Sequence, residues 1–373
     1  MLSFTDYICY EYLKTTNWNV HNLYCNLTQT ADNILRFDIP SGINCQLSSL
    51  TTPNFVSKCE ISAMPILNGS LSYIYSNVDL DNAKVNPLTE LQKFYEGYRH
   101  VDVPFIHYQG ELEDFNLPKK STLLYGCIFL PSKKLDAIFA RRLSPWSLFS
   151  VLATNEVDDP NGGTMCFQWQ HDTGKRSLEL MYETTEAMVG LRALWNLNLK
   201  ENHMKKRNDS CKSTSNMCWS LGFETYYGIL TKCPGASLGM RLHSGPSHLY
   251  SPFILTCTLN PIVGHITSTF STAEPHVKAF STQYDFNLYS YESKLQIGTE
   301  LWRGKFLSRT VGENNRSKIQ SCTSVLKSVL STTGEISLLW QARIRNFLLT
   351  LGTTAHITKI DPLYFGIHLE YAN

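Results

Sequence analysis

The sequence has little charge. Only 17% of its 373 residues are Asp, Glu, Lys or Arg, against the ~25% usual for soluble domains. The signs balance, with Lys+Arg 33 against Asp+Glu 32 and a net charge of +1. Such a chain has no global field to attract polyanions, so nucleic acid is excluded as an expected partner. Long apolar runs are missing too. No stretch approaches the ~18 to 20 consecutive apolar residues of a transmembrane helix, which excludes spanning by helices and leaves spanning by strands open. Residues 1–18 include Asp6, Glu11 and Lys14, so neither a secretory signal nor an Arg-rich targeting segment is expected there.

Ordered cysteine spacing is absent as well. The 11 cysteines include no Cys-x-x-Cys pair, and the closest two are Cys211 and Cys218. Scattered, reduced thiols are expected rather than a disulfide framework or a zinc site. The sequons at Asn26, Asn68, Asn208 and Asn315 carry no weight without a secretory route. There is no Gly-rich phosphate loop, His-Glu-x-x-His helix or Gly-x-Ser-x-Gly elbow. His265 and His356 stand alone on strand-like runs and read as solvated or hydrogen-bonded histidines. No catalytic residue, metal ligand or cofactor site is expected.

What the chain does have is aromatic content, 12% with Tyr 19 and Phe 18, set in a strict two-residue period. Residues Leu363, Phe365, Ile367, Leu369 and Tyr371 alternate with Tyr364, Gly366, His368 and Glu370, as in a strand with one apolar face. The same alternation gives Phe347, Leu349, Leu351 against Leu348, Thr350, Gly352, and Leu338, Trp340, Ala342 against Leu339, Gln341, Arg343. It recurs at 295–302, 253–260, 219–227, 165–170, 178–183, 70–75 and 35–39, the last as Leu35, Phe37, Ile39 against Arg36 and Asp38. Turn signals such as Pro131-Ser132, Pro234-Gly235 and Pro261 to Gly264 separate the runs, so they are hairpin-linked and antiparallel. About nineteen or twenty runs of ~8 to 11 residues are present, the length that crosses a bilayer as a tilted strand.

A large soluble sandwich or propeller would alternate too. The faces favour a membrane barrel: one carries Arg, Glu, Gln and Gly, the other Trp, Tyr and Phe near run ends, as a polar lumen and aromatic girdles require. Closure also removes edges that lipid cannot tolerate. The expected fold is all-β, a transmembrane barrel of about 19 strands (residues 33–373), preceded by residues 1–32 with a lumen-packed helix. That helix places Phe4, Ile8 and Tyr12 on one face. Long loops are expected at 77–117, 198–215 and 303–320. The first is acidic, with a short helix starting at Asn86-Pro87 that presents Leu88, Leu91, Tyr95 and Tyr98; the other two are basic. All three read as solvated.

Four stretches carry a resemblance. Asn68 to Ser76 (NGSLSYIYS), Arg142 to Pro145 (RLSP), Asn260 to Ile266 (NPIVGHI) and Tyr284 to Ser293 (YDFNLYSYES) resemble the fungal family of mitochondrial distribution and morphology protein ten, and the likeness runs from the opening helix to the last strand. The resemblance implies a nineteen-stranded mitochondrial outer-membrane barrel whose first and last strands pair in parallel. It implies a non-enzymatic role with three kinds of partner: the ER-mitochondria encounter structure (ERMES), the sorting and assembly machinery (SAM) that inserts barrel precursors, and the phospholipid bilayer. It also implies a β-signal, polar-x-Gly-x-x-hydrophobic-x-hydrophobic, on Tyr364, Gly366, Leu369 and Tyr371, with tyrosine in the polar slot. Family members often carry a long insertion before the last strands, and 303–320 is short here. A porin-type metabolite channel is the alternative. Candidate partner-binding residues are Tyr73 and Tyr75 on one strand and Phe286, Tyr289 and Tyr291 far away in sequence. An aromatic girdle at the headgroups suits tyrosine equally well.

Overall fold

A computed structural model describes residues 4–63, 66–80, 91, 97–99, 101, 121–155, 162–197, 217–244, 251–274, 277–308, 318–345, 347–357 and 364–372. The sheet contains β1 (Gly42–Thr52), β2 (Phe55–Ala63), β3 (Asn68–Ser76), β4 (Thr122–Leu130), β5 (Leu135–Ser144), β6 (Ser147–Asn155), β7 (Gly163–Asp172), β8 (Arg176–Glu183), β9 (Met188–Leu197) and β10 (Met217–Gly228). It continues through β11 (Pro234–Ser244), β12 (Phe253–Asn260), β13 (His265–Glu274), β14 (Lys278–Asn287), β15 (Ser293–Ser308), β16 (Lys318–Ser331), β17 (Glu335–Ile344), β18 (Phe347–His356) and β19 (Tyr364–Ala372). Each strand pairs antiparallel with its neighbours in sequence, and β1 also pairs with β19, in parallel. The sheet therefore closes into a 19-stranded barrel. The parallel seam follows from parity: with an odd number of strands linked as hairpins, first and last run the same way.

Side-chain placement is inverted relative to a soluble protein. Gln46 and Ser48 of β1 are buried while Leu47 between them is 57% exposed. Ser72 is buried between Leu71 and the exposed Tyr73; Gln341 is buried beside the exposed Trp340. Apolar residues on the outer face and polar ones within are what a bilayer outside and a polar lumen inside demand. Among the described residues no helix is long and apolar enough to cross a membrane.

The lumen is occupied by the chain's own start. Helix α1 (Phe4–Thr15) buries Ile8 and Tyr12 against Val56, Ile74, Leu123 and Ala140 of β2 to β5. Two 3-10 turns follow, Val20–Asn22 and Tyr24–Asn26. Here the Asn22 amide donates to Asp172 Oδ1 at 2.6 Å and Arg241 Nη1 donates to the His21 carbonyl at 3.1 Å. Helix α2 (Gln29–Leu35) packs Ile34 on Ala273 and Ala279, and Ala31 and Leu35 on Val329. Lys327 Nζ donates to the Asn33 carbonyl at 2.6 Å. Residues 4–41 thus follow the inner wall from β2 around to β19, where Pro40 lies against Gly366.

Four expectations change. Residues 36–41 are not a strand: Leu35 ends α2, Phe37 packs on the Ala31–Leu35–Val329 cluster, and the strap they form lies inside the wall. Five alternating residues are too few to separate a strand from an extended strap that also has one packed side. The N-terminal segment accordingly runs to residue 41, and a boundary at 32 falls inside α2. Half of segment 303–320 is strand: Gly304–Ser308 and Lys318–Cys322 pair with each other beyond the last rungs that β14 and β17 provide, leaving 309–317 outside the described residues. In segment 77–117, Leu80, Leu91 and Val101 are buried, and Tyr98 packs beside Ile34. Leu80, Leu91 and Tyr98 therefore pack on the lumen contents and the inner wall rather than standing in solvent. The helix start at Asn86-Pro87, with Leu88 and Tyr95, and the basic loop 198–215 lie outside the described residues.

Candidate functional site

The expected signal residues sit on the seam. Leu369 and Tyr371 point outward; Leu369 faces Cys45 of β1 and Leu349 of β18, and the Tyr371 ring meets Phe347 at 5.3 Å. Gly366 turns inward opposite Gly42 and Gly352. A Cβ on Gly366 would stand 1.8 Å from the Pro40 oxygen and 2.4 Å from its carbon, so only glycine fits where backbone crosses backbone. Tyr364, 60% exposed, lines a recess at the barrel mouth with Ile39, Pro40, Ser41 and Phe365. Inside the seam Gln46 Nε2 donates to Glu370 Oε1 at 2.9 Å, and the Ser48 hydroxyl donates to the Tyr371 carbonyl at 3.2 Å.

The five candidate partner-binding residues form two groups, not one surface. Tyr73 and Tyr75 both face outward on β3, each 45% exposed, close to the barrel end that carries the β3–β4, β9–β10 and β15–β16 connections. Tyr73 stacks on Phe55 at 5.6 Å. Its cross-strand neighbour is Gly126, above which no atom lies within 4 Å of a built Cβ. Tyr289 and Tyr291 occupy the short turn between β14 and β15 at the other end, and are 68% and 80% exposed. Their turn is fixed to its neighbour: Leu288 N–H donates to the Gly264 carbonyl at 2.7 Å, and the Tyr289 hydroxyl donates to the Pro261 carbonyl at 3.0 Å. Phe286 joins this group, stacked on Tyr284 with 6° between ring planes.

Sequence reasoning missed the seats for the lumen segment. Built Cβ atoms on wall glycines meet that segment: Gly222 meets Tyr24 at 2.6 Å, Gly239 meets Leu27 at 2.7 Å, Gly298 meets Leu35 at 2.8 Å and Gly352 meets Ile39 at 2.8 Å. The signal was present, since glycine on the wet face of a strand marks a close approach, but it reads like any small lumen residue until something is known to lie there. Beside these seats Arg192 pairs with Glu224 at 2.7 Å and with Glu179 at 3.7 Å. Near them Cys25 is an exposed free thiol. Nine of the cysteines, from Cys9 to Cys257, are free thiols, and no group of three or more His, Cys, Asp and Glu side chains among the described residues could hold a metal.

The family model for Mitochondrial distribution and morphology protein 10 matches residues 1–321. The chain belongs to that family. The protein of that name from Schizosaccharomyces pombe is 66% identical over 372 residues, spanning all of both chains. Those from Schizosaccharomyces japonicus and Phaeosphaeria nodorum are 43% and 33% identical, again over the whole of both chains. The family is named for mitochondrial distribution and morphology, and a barrel with an apolar exterior is the form a mitochondrial membrane protein of this family takes here.

Proposed function

We propose that this chain is a scaffold of the mitochondrial outer membrane. In this reading it anchors the ER-mitochondria encounter structure, and through it phospholipid homeostasis and mitochondrial morphology. It also serves the sorting and assembly machinery during insertion of barrel precursors, and its own last strand carries the β-signal Tyr364, Gly366, Leu369 and Tyr371. The observation that carries the proposal is the placement of the two exposed tyrosine groups at opposite ends of the barrel, around a lumen lined by residues 4–41. Two ends permit two assemblies without competition, and a lumen narrowed by its own N-terminal segment suits a scaffold better than a metabolite channel. Tyrosine contributes large contact area at low entropic cost and is enriched at binding hot spots.

The test replaces Tyr73 and Tyr75 together by alanine and, separately, Tyr289 and Tyr291. Barrel abundance and co-purified partners are then measured. Each pair is expected to lose one assembly by about tenfold or more, equivalent to ~1.4 kcal/mol, at normal abundance, while retaining the other. Uniform loss that tracks abundance would return these residues to an aromatic girdle.

A further inference from the structure

A parallel seam has no hairpin to set its register. At tight hairpins such as β4–β5 and β5–β6 the turn fixes which residues face each other, but β1 and β19 are joined only through the whole barrel. Patterning cannot supply the missing information alone. A one-residue slip would turn every side chain of β1 to the wrong face, yet a slip of two keeps each on its proper face.

We propose that residues 37–41 are an internal register lock for the seam. This strap crosses the inner wall immediately before Gly42, where two glycines face each other on β18 and β19. Ile39 and Pro40 fill the notch they leave: a Cβ on Gly352 would meet Ile39 Cγ2 at 2.8 Å and Pro40 Cδ at 3.0 Å, and one on Gly366 would meet the Pro40 backbone. The next inward rung of this strand pair is Thr350 opposite His368. Sliding β1 two residues that way drives Pro40 into side chains. Sliding it two residues the other way carries Ile39 and Pro40 out of the notch and takes Gln46 away from Glu370. The strap is anchored upstream by Phe37, over which Lys327 Nζ lies at 5.5 Å, and by α2. Seating of the lumen segment and correct closure of the wall are thus one event.

The test is site-directed cross-linking in the full chain within mitochondria, with joined peptides identified by mass spectrometry. Asn44→Cys with His368→Cys reports the native register, while Gln46→Cys with His368→Cys and Asn44→Cys with Glu370→Cys report the two slips. The native pair is expected to dominate. Adding Ile39→Ala, which removes the knob, or Gly352→Leu, which fills the notch, should lower the native-to-slipped ratio by about tenfold or more, on the scale of a buried large-to-small change or of overpacking. If Gly352→Leu yields no barrel, Ile39→Ala decides alone. An unchanged ratio in assembled Ile39→Ala barrels overturns the proposal.

Discussion

Gly366→Ala is expected to remove most of the assembled barrel from the membrane, although it adds a single methyl group. The methyl would overlap the Pro40 carbonyl at 1.8 Å, and neither partner is a flexible side-chain end. Overpacking a tight core typically costs ~1 to 3 kcal/mol, and a backbone-on-backbone overlap belongs at or above the top of that range. His356→Asp, at the end of β18 on a half-exposed site, should be tolerated. Quantifying membrane-inserted protein for both variants checks this. The contact also changes what Gly366→Asp can report. On sequence alone that variant isolates the β-signal, but the strap makes it a steric lesion as well. Tyr371→Ala spares the strap and removes only packing against Phe347, so an insertion defect there speaks for the signal.

Deletion of residues 1–36 is expected to produce the second large effect, in conductance. The segment buries Ile8, Tyr12, Leu27, Ile34 and Leu35 inside the wall, each side chain contributing roughly 1.5 to 3 kcal/mol. Without it the purified barrel should conduct at least several-fold more current in a planar bilayer and unfold at lower temperature than the full chain. Removing only residues 1–18 should do much less to the current, because the 3-10 turns and α2 remain seated against β7 to β16. Equal conductance of the full chain and the 1–36 deletion would contradict a lumen narrowed by this segment and revive the channel reading.

The wall was legible in the sequence because an apolar outside and a polar inside impose a period of two on strand after strand. Trp340 outside and Gln341 within are read correctly from parity alone. The lumen contents were harder. Ile8 and Tyr12 were readable through their helical spacing, whereas Leu35, Phe37 and Ile39 alternate like strand residues and pack as strap residues. Position around the barrel was not legible either. That Tyr73 and Tyr289 lie at opposite ends depends on the number of strands between them, and a count of nineteen or twenty runs leaves that parity open. The strand status of Arg303 to Ser308 was hidden by its basic composition, which resembles a loop; only pairing with 318–324 distinguishes it.

In the proposed function the outward faces of these strands sit in a bilayer. Extraction of isolated mitochondria with alkaline carbonate tests it most directly. Leu47, Tyr73, Trp195, Trp219, Leu221, Phe280 and Trp340 are exposed on the outer wall, and in lipid they hold the barrel where high pH and lost protein contacts cannot release it. The chain should remain in the membrane pellet together with an integral outer-membrane marker, while a peripheral marker is released. Recovery of most of the chain in the supernatant would contradict the barrel's place in the membrane, and with it every role proposed here.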